Sequence, residues 1–154
     1  MTMNYMKVVI IMASQQDKEW ADKIQEALEQ WSLASTLHLA SAHKVPEKVF
    51  EIVQSYNREK EVIYVTIAGR SNGLSGVVAA NSVHPVIACP PFKNKDDLAL
   101  NIMSTLQMPS DTPVLTVLEP GNVAGACARI FGLLNDEMQE LVQEKIDEVK
   151  EKFE

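Results

Sequence analysis

Three short stretches of this sequence carry the residue types that acid–base and phosphate chemistry require. The first is Ser41-Ala42-His43-Lys44. Histidine holds or releases a proton near neutral pH, as general acid–base work needs. Lys44 beside it can neutralise a phosphate. An exposed surface pair would explain the same two residues equally well. The second stretch is Ala13-Ser14-Gln15-Gln16-Asp17. A serine followed by the free amides that open a helix suits a phosphate, and Asp17 can accept from sugar hydroxyls. Serine and aspartate are also common helix caps, and local sequence alone favours that role. The third stretch, Ala68 to Gly76, holds three glycines, two serines, Asn72 and Arg70. None of these titrates near pH 7, so this loop can bind and orient but not move a proton. Its glycines, Gly69, Gly73 and Gly76, are expected to allow close backbone approach to a ligand or a left-handed conformation.

The remaining chemistry-bearing residues are scattered. His38 lies inside an apolar run and His84 precedes Pro85, which suits structural roles. No GxGxxG, P-loop or HExxH pattern occurs, and three histidines with two cysteines give no metal-ligand spacing. The reaction expected here uses neither a metal nor a nucleoside triphosphate, and no cofactor is implied.

The three stretches act together only if the elements between them bring them to one place. Lys7 to Met12 is a near-continuous apolar run, as in a strand covered on both faces. A helix follows, capped by Asp17, with Trp20, Ile24, Ala27, Leu28 and Trp31 on one face. The tryptophans read as core or interface packing. Leu33 to Leu39 is a second strand, and Pro46 suits the first turn of the next helix. Val62 to Ile67, Val86 to Cys89 and Val114 to Leu118 are further strands. Helices are predicted over Leu74–Asn81, Leu98–Leu106 and Val123–Leu134, the last opened by Asn122, with Phe92 to Asp97 as a polar connection. A final amphipathic helix, 136–154, carries Met138, Val142, Ile146, Val149 and Phe153 on one stripe, which must be buried on its own domain or on another subunit. Alternating strands and helices predict a three-layer α/β/α sandwich. Its sheet is expected to hold five parallel strands in the flavodoxin-like order 2-1-3-4-5. In that order the three loops converge on one crevice at the carboxyl ends of the strands.

The 154 residues are expected to form one domain over 1–154, with its core in 7–135. The net charge of −7 argues against nucleic acid, and residues 136–154 carry −5 of it, which leaves −2 for the rest. No apolar run approaches the ~20 residues of a membrane span, and Met1 to Met6 is too short and polar for a signal peptide. Cys89 and Cys127 lie in apolar surroundings and read as buried thiols, which points to the cytoplasm.

At its three loops the chain resembles the aminoimidazole ribonucleotide (AIR) carboxylase and N5-CAIR mutase family of purine biosynthesis. That family has a Gly-Ser-x-Ser-Asp loop, a Ser-Ala-His-Arg or Ser-Ala-His-Lys loop, a glycine-rich third loop and a Met-Pro segment. Here these are Ala13–Asp17, Ser41–Lys44, Ala68–Gly76 and Met108-Pro109, and the similarity spans roughly residues 7 to 135. Ala13 stands in place of the family's glycine and Gln16 in place of its second serine. Lys44, the Arg70-Ser71-Asn72 version of the third loop, Ile87–Pro91 and Val117–Pro120 resemble class II, the direct carboxylases. The mutase class has arginine after the histidine and a second histidine in the third loop.

The resemblance implies direct, ATP-independent carboxylation of AIR at C4 by CO2 to give carboxyaminoimidazole ribonucleotide (CAIR). It implies His43 as the proton-handling group, Ser14 and Lys44 on the 5′-phosphate, and Asp17 on the ribose. Ser41, Gly69 and Ser71 would line the pocket for the base and CO2. It also implies a homo-octamer. One rival is the mutase reaction, which moves a carboxylate from N5 to C4. Another, of a different class, is a non-catalytic ribonucleotide-binding module. A receiver-like signalling domain is set aside, because no phosphoacceptor aspartate follows the third strand.

Overall fold

A computed structural model describes residues 5–154. Met1–Asn4, which belong to the stretch compared above with a signal peptide, lie outside the described residues. The strands are β1 (Lys7–Met12), β2 (Ala34–Leu39), β3 (Val62–Ile67), β4 (Val86–Ala88) and β5 (Leu115–Thr116). They form one parallel sheet in the order β2-β1-β3-β4-β5. The helices are α1 (Lys18–Glu29), α2 (Pro46–Tyr56), α3 (Leu74–Asn81), α4 (Lys95–Asn101), α5 (Met103–Leu106), α6 (Pro120–Gly132) and α7 (Asp136–Glu151).

Strand periodicity divides the core between the two faces of the sheet. Val8, Ile10 and Met12 of β1 join Ile63, Val65 and Ile67 of β3 under α1, α6 and α7. Val9 and Ile11 face the other way, with Val62 and Tyr64, against α2 and α3. The sandwich and strand order are those expected from the sequence. The small-residue helix α6 buries Val123, Ala124, Cys127 and Ala128 within its own chain. Cys89 and Cys127 are free and buried, and burial pushes both thiols up to about 12. His38 and His84 both bond to Tyr56, one at its hydroxyl (3.3 Å) and the other at its carbonyl (2.9 Å), in keeping with structural roles.

Several boundaries differ from expectation, each for a local reason. Ser14, not Asp17, makes the capping bond: its Oγ accepts from Gln16 N at 3.2 Å and opens a 3-10 turn, Gln15–Asp17, ahead of α1. The polar connection Phe92 to Asp97 is partly helical, because Asn94 caps α4 by accepting from Asp97 N at 2.9 Å. The helix expected over Leu98–Leu106 is two pieces, α4 and α5. The break shows in the backbone, where Thr105 N donates to Ile102 O at 3.0 Å, three residues back instead of four. Helix α6 starts at Pro120 rather than beyond Asn122, with Glu119 accepting from Gly121 N and Asn122 N at 2.9 and 2.8 Å. A carboxylate there also suits the positive end of the helix dipole. Strand β5 is short because its partner β4 runs into Pro90-Pro91, which cannot donate to a ladder. Along α7, Met138 and Val142 are buried, but Val149 and Phe153 remain 53% and 87% exposed, so the apolar stripe is only half covered.

Candidate functional site

The register of the sheet places the three loops side by side. Met12 of β1 lies opposite Leu39 of β2 and Ile67 of β3. The next residue of each outer pair extends the ladder: Ala40 N donates to Met12 O at 3.0 Å, and Ala13 N donates to Ile67 O at 2.9 Å. All three loops therefore leave the sheet at the same level, at its carboxyl end.

In the first loop, Ser14 and Asp17 are both half-buried. Ser14 Oγ accepts from Gln16 N, so the hydroxyl keeps its own proton to donate. Asp17 occupies the cap position of α1 without accepting from the helix amides. Burial raises its pKa above the usual carboxylate range, and the Ser14 backbone amide partly opposes this. A half-buried carboxylate with no helix amide to satisfy it can accept from hydroxyl groups of a ligand.

The second loop is a tight turn. Ser41 Oγ accepts from Lys44 N at 3.2 Å and Ser41 O accepts from Val45 N at 2.9 Å. His43 and Lys44 are exposed at its tip, and Lys44 makes no ion pair among the described residues. His43 folds against the third loop: a Cβ added to Gly73 would lie 2.6 Å from its Nε2.

The third loop corrects one expectation. None of its glycines is left-handed among the described residues; the left-handed residue is Arg70, at φ 50°. The glycines serve close approach instead. Gly73 lies beneath His43, and a Cβ on Gly76 would lie 3.2 Å from Met108 Sδ, in the Met-Pro segment. Ser71 is exposed and Gly69 half-buried, whereas Asn72 is turned inward rather than toward a ligand.

A cleft of about 540 Å³ opens between the first loop, the third loop and the segment after β4. Asp17 and Gly69 line it, together with Trp20, Arg70, Phe92 and Asp97. Ser14, Ser41, His43, Lys44 and Ser71 do not line it; the second loop forms the neighbouring patch around Gly73. Trp20 packs on the core as expected but is also a cleft wall. Its Nε1–H donates to Cys89 O at 3.1 Å and its ring meets Phe92 edge-on at 5.2 Å. Phe92 and Asp97 were hidden in the sequence by their polar neighbours. The Asn94-x-x-Asp97 spacing, a capping signal, could have placed a helix N-terminus there. Among the described residues no group of three or more His, Cys, Asp or Glu side chains could hold a metal ion.

Comparison with known proteins agrees with this fold. Residues 7–152 match the family model described as AIR carboxylase. A phosphoribosylaminoimidazole carboxylase of Archaeoglobus fulgidus is 46% identical over 137 residues, covering 89% of this chain and 75% of that protein. One from Treponema denticola is 37% identical over 148 residues, covering 95% and 92%. The crystal structure of Treponema denticola PurE superposes with a TM-score of 0.88 at 36% identity, covering 96% of this chain and 93% of that one. The chain spans 30% of a Drosophila melanogaster bifunctional phosphoribosylaminoimidazole carboxylase/phosphoribosylaminoimidazole succinocarboxamide synthetase, at 40% identity over 129 residues. A match that runs from the first residue of β1 through the end of α7, on a sheet of this order with these three loops at its carboxyl end, leaves one assignment: the chain belongs to the AIR carboxylase family.

Proposed function

We propose that this protein carboxylates AIR directly at C4 with CO2, without ATP, giving CAIR in de novo purine biosynthesis, and so acts as a carboxy-lyase. The observation that carries the reading is His43 lying against a third loop that holds no second acid or base. One proton-handling group fits a reaction with one proton to move at one carbon.

An aminoimidazole is enamine-like, and its C4 is nucleophilic. C4 bonds to the carbon of CO2, and a C=O electron pair moves to oxygen to give the carboxylate. C4 then carries both hydrogen and carboxylate. His43 takes the proton, and the C–H pair restores ring aromaticity. The net change is AIR plus CO2 to CAIR plus a proton. In decarboxylation the same imidazole, protonated, returns the proton to C4. Ser14 and Lys44 hold the 5′-phosphate, Asp17 accepts from the ribose hydroxyls, Gly69 lines the cleft, and Ser41 and Ser71, in the neighbouring patch around Gly73, border the base and CO2. The spare proton on each of Ser14 and Ser41 supports donor roles.

The protein is proposed to work in the cytoplasm as a homo-oligomer, an octamer by resemblance. Free buried thiols and the exposed Leu100, Met103 and Leu106 of α4 and α5 support this. No described helix is long and apolar enough to cross a membrane.

The deciding experiment is a spectrophotometric assay with AIR and bicarbonate, without ATP, beside a parallel assay with the N5-carboxylated isomer. Product from AIR and none from the isomer is expected. Turnover of the isomer alone would make the protein a mutase, and binding of AIR without turnover in either assay would make it a ribonucleotide-binding module.

A further inference from the structure

Four polar side chains are buried among the described residues: Thr66, Asn72, Ser75 and Thr105. All four belong to one hydrogen-bonded chain. Thr66 Oγ1 on β3 bonds to Ser75 Oγ on α3 at 2.7 Å. Asn72 Nδ2 donates to Ser75 Oγ at 2.8 Å and to Thr105 Oγ1 on α5 at 3.1 Å. Asn72 Oδ1 accepts from Ser75 N at 3.1 Å. Both amide protons and the amide oxygen are thus used, and no atom of the chain is left unpaired.

Ser104, the neighbour of Thr105, completes the arrangement. Its Oγ accepts from Asn72 N at 3.1 Å and donates to Arg70 O. One hydroxyl therefore ties the backbone on both sides of Ser71, across the residue pair in which Arg70 is left-handed. Left-handed backbone at a residue other than glycine persists only where its surroundings hold it. Gly73, directly after Asn72, is the residue that His43 lies against.

A buried polar chain whose members are all satisfied rigidifies the groups that make it and specifies one arrangement of them. We propose that Asn72, with Ser104 and Thr105 of α5, positions the third loop and through Gly73 fixes the place of the His43 ring. These three are positioning residues. None need touch substrate; they determine where Gly69, Ser71 and Gly73 stand.

This inference rests on His43 being the acid–base group of the proposed reaction. Its test pairs Thr105→Val, which keeps the shape and removes the hydroxyl, with Thr105→Ser, which restores the hydroxyl. Thr105→Val is expected to lower kcat about 10- to 100-fold with KM within about threefold, as for other supporting-shell changes. Thr105→Ser is expected to recover most of the loss. Ser104→Ala, at a half-buried position, is expected to lower kcat in the same way. Histidine ring resonances give a readout that needs no turnover: those of His43 should move in Thr105→Val and Ser104→Ala, while those of His38 and His84 stay. Wild-type kcat in Ser104→Ala, or an unmoved His43 resonance in either folded variant, would overturn the positioning role. An inactive wild type with a moved His43 resonance would overturn the carboxylase reading alone.

Discussion

The imidazole of His43 lies over the bare backbone of Gly73, where a methyl group would come within 2.6 Å of Nε2. Gly73 has ordinary right-handed backbone, φ −84°, so it is glycine because of what lies above it, not because of its conformation. Gly73→Ala should therefore fold normally, since an exposed histidine can swing aside, but the swing would misplace the imidazole proposed to handle the C4 proton. A displacement of about 1 Å at a reacting group costs on the order of 100-fold in rate. We expect kcat to fall by about that factor with the thermal midpoint within about 2 °C, read by steady-state kinetics and calorimetry.

Replacing the imidazole itself separates binding from chemistry. His43→Asn keeps a polar side chain at the loop tip but cannot take the C4 proton. Turnover should drop by about 10²–10⁴-fold, while the dissociation constant for AIR, measured by calorimetric titration, stays within about threefold. Near-normal turnover in this variant would remove His43 from the mechanism.

Asp17 should trade stability for function. Burial raises its folded pKa, so the folded state binds the proton more tightly than the unfolded state does. Stability is then lost as pH rises through the unfolded and folded pKa values, and at pH 7 the ionised carboxylate is a net penalty. Asp17→Asn should raise the urea midpoint at pH 7. The gain should shrink as pH falls and vanish below about 4, where aspartate is itself neutral. If Asp17 holds the ribose, KM for AIR should rise in the same variant.

Arg70 tests the third loop's backbone. At φ 50° a β-branched side chain is strained whereas glycine is not. Arg70→Val should destabilise by about 1–2 kcal/mol in denaturant unfolding, and Arg70→Gly by distinctly less. Equal losses would mean that the left-handed turn is not held in solution.

Much of this was legible in the sequence because it depends on local pattern. The apolar runs Lys7–Met12 and Val62–Ile67 are strands with those bounds, and the alternation of elements led to the sheet order. The proximity of the three loops followed from that order. What was not legible depends on contacts distant in sequence. Asn72 looks like a ligand-facing residue until Thr105, 33 residues later, is seen to receive its amide. Trp20 looks like core until Phe92 meets it across the cleft. The split between α4 and α5 turns on one backbone bond, Thr105 N to Ile102 O, three residues back, which no periodicity reports. Likewise Glu119 could be recognised as a cap only by giving Pro120 the first position of its helix.

The shortness of α5 has a mechanical consequence. Its four residues divide between two duties: Met103 and Leu106 look outward, 50% and 54% exposed, while Ser104 and Thr105 reach inward to the third loop. There is no spare turn between the two sides to absorb a displacement. Whatever seats on the outer side leans on the same part that braces the loop beneath His43. Crowding or stripping that surface would then be felt as a change in turnover before it was felt as a loss of fold.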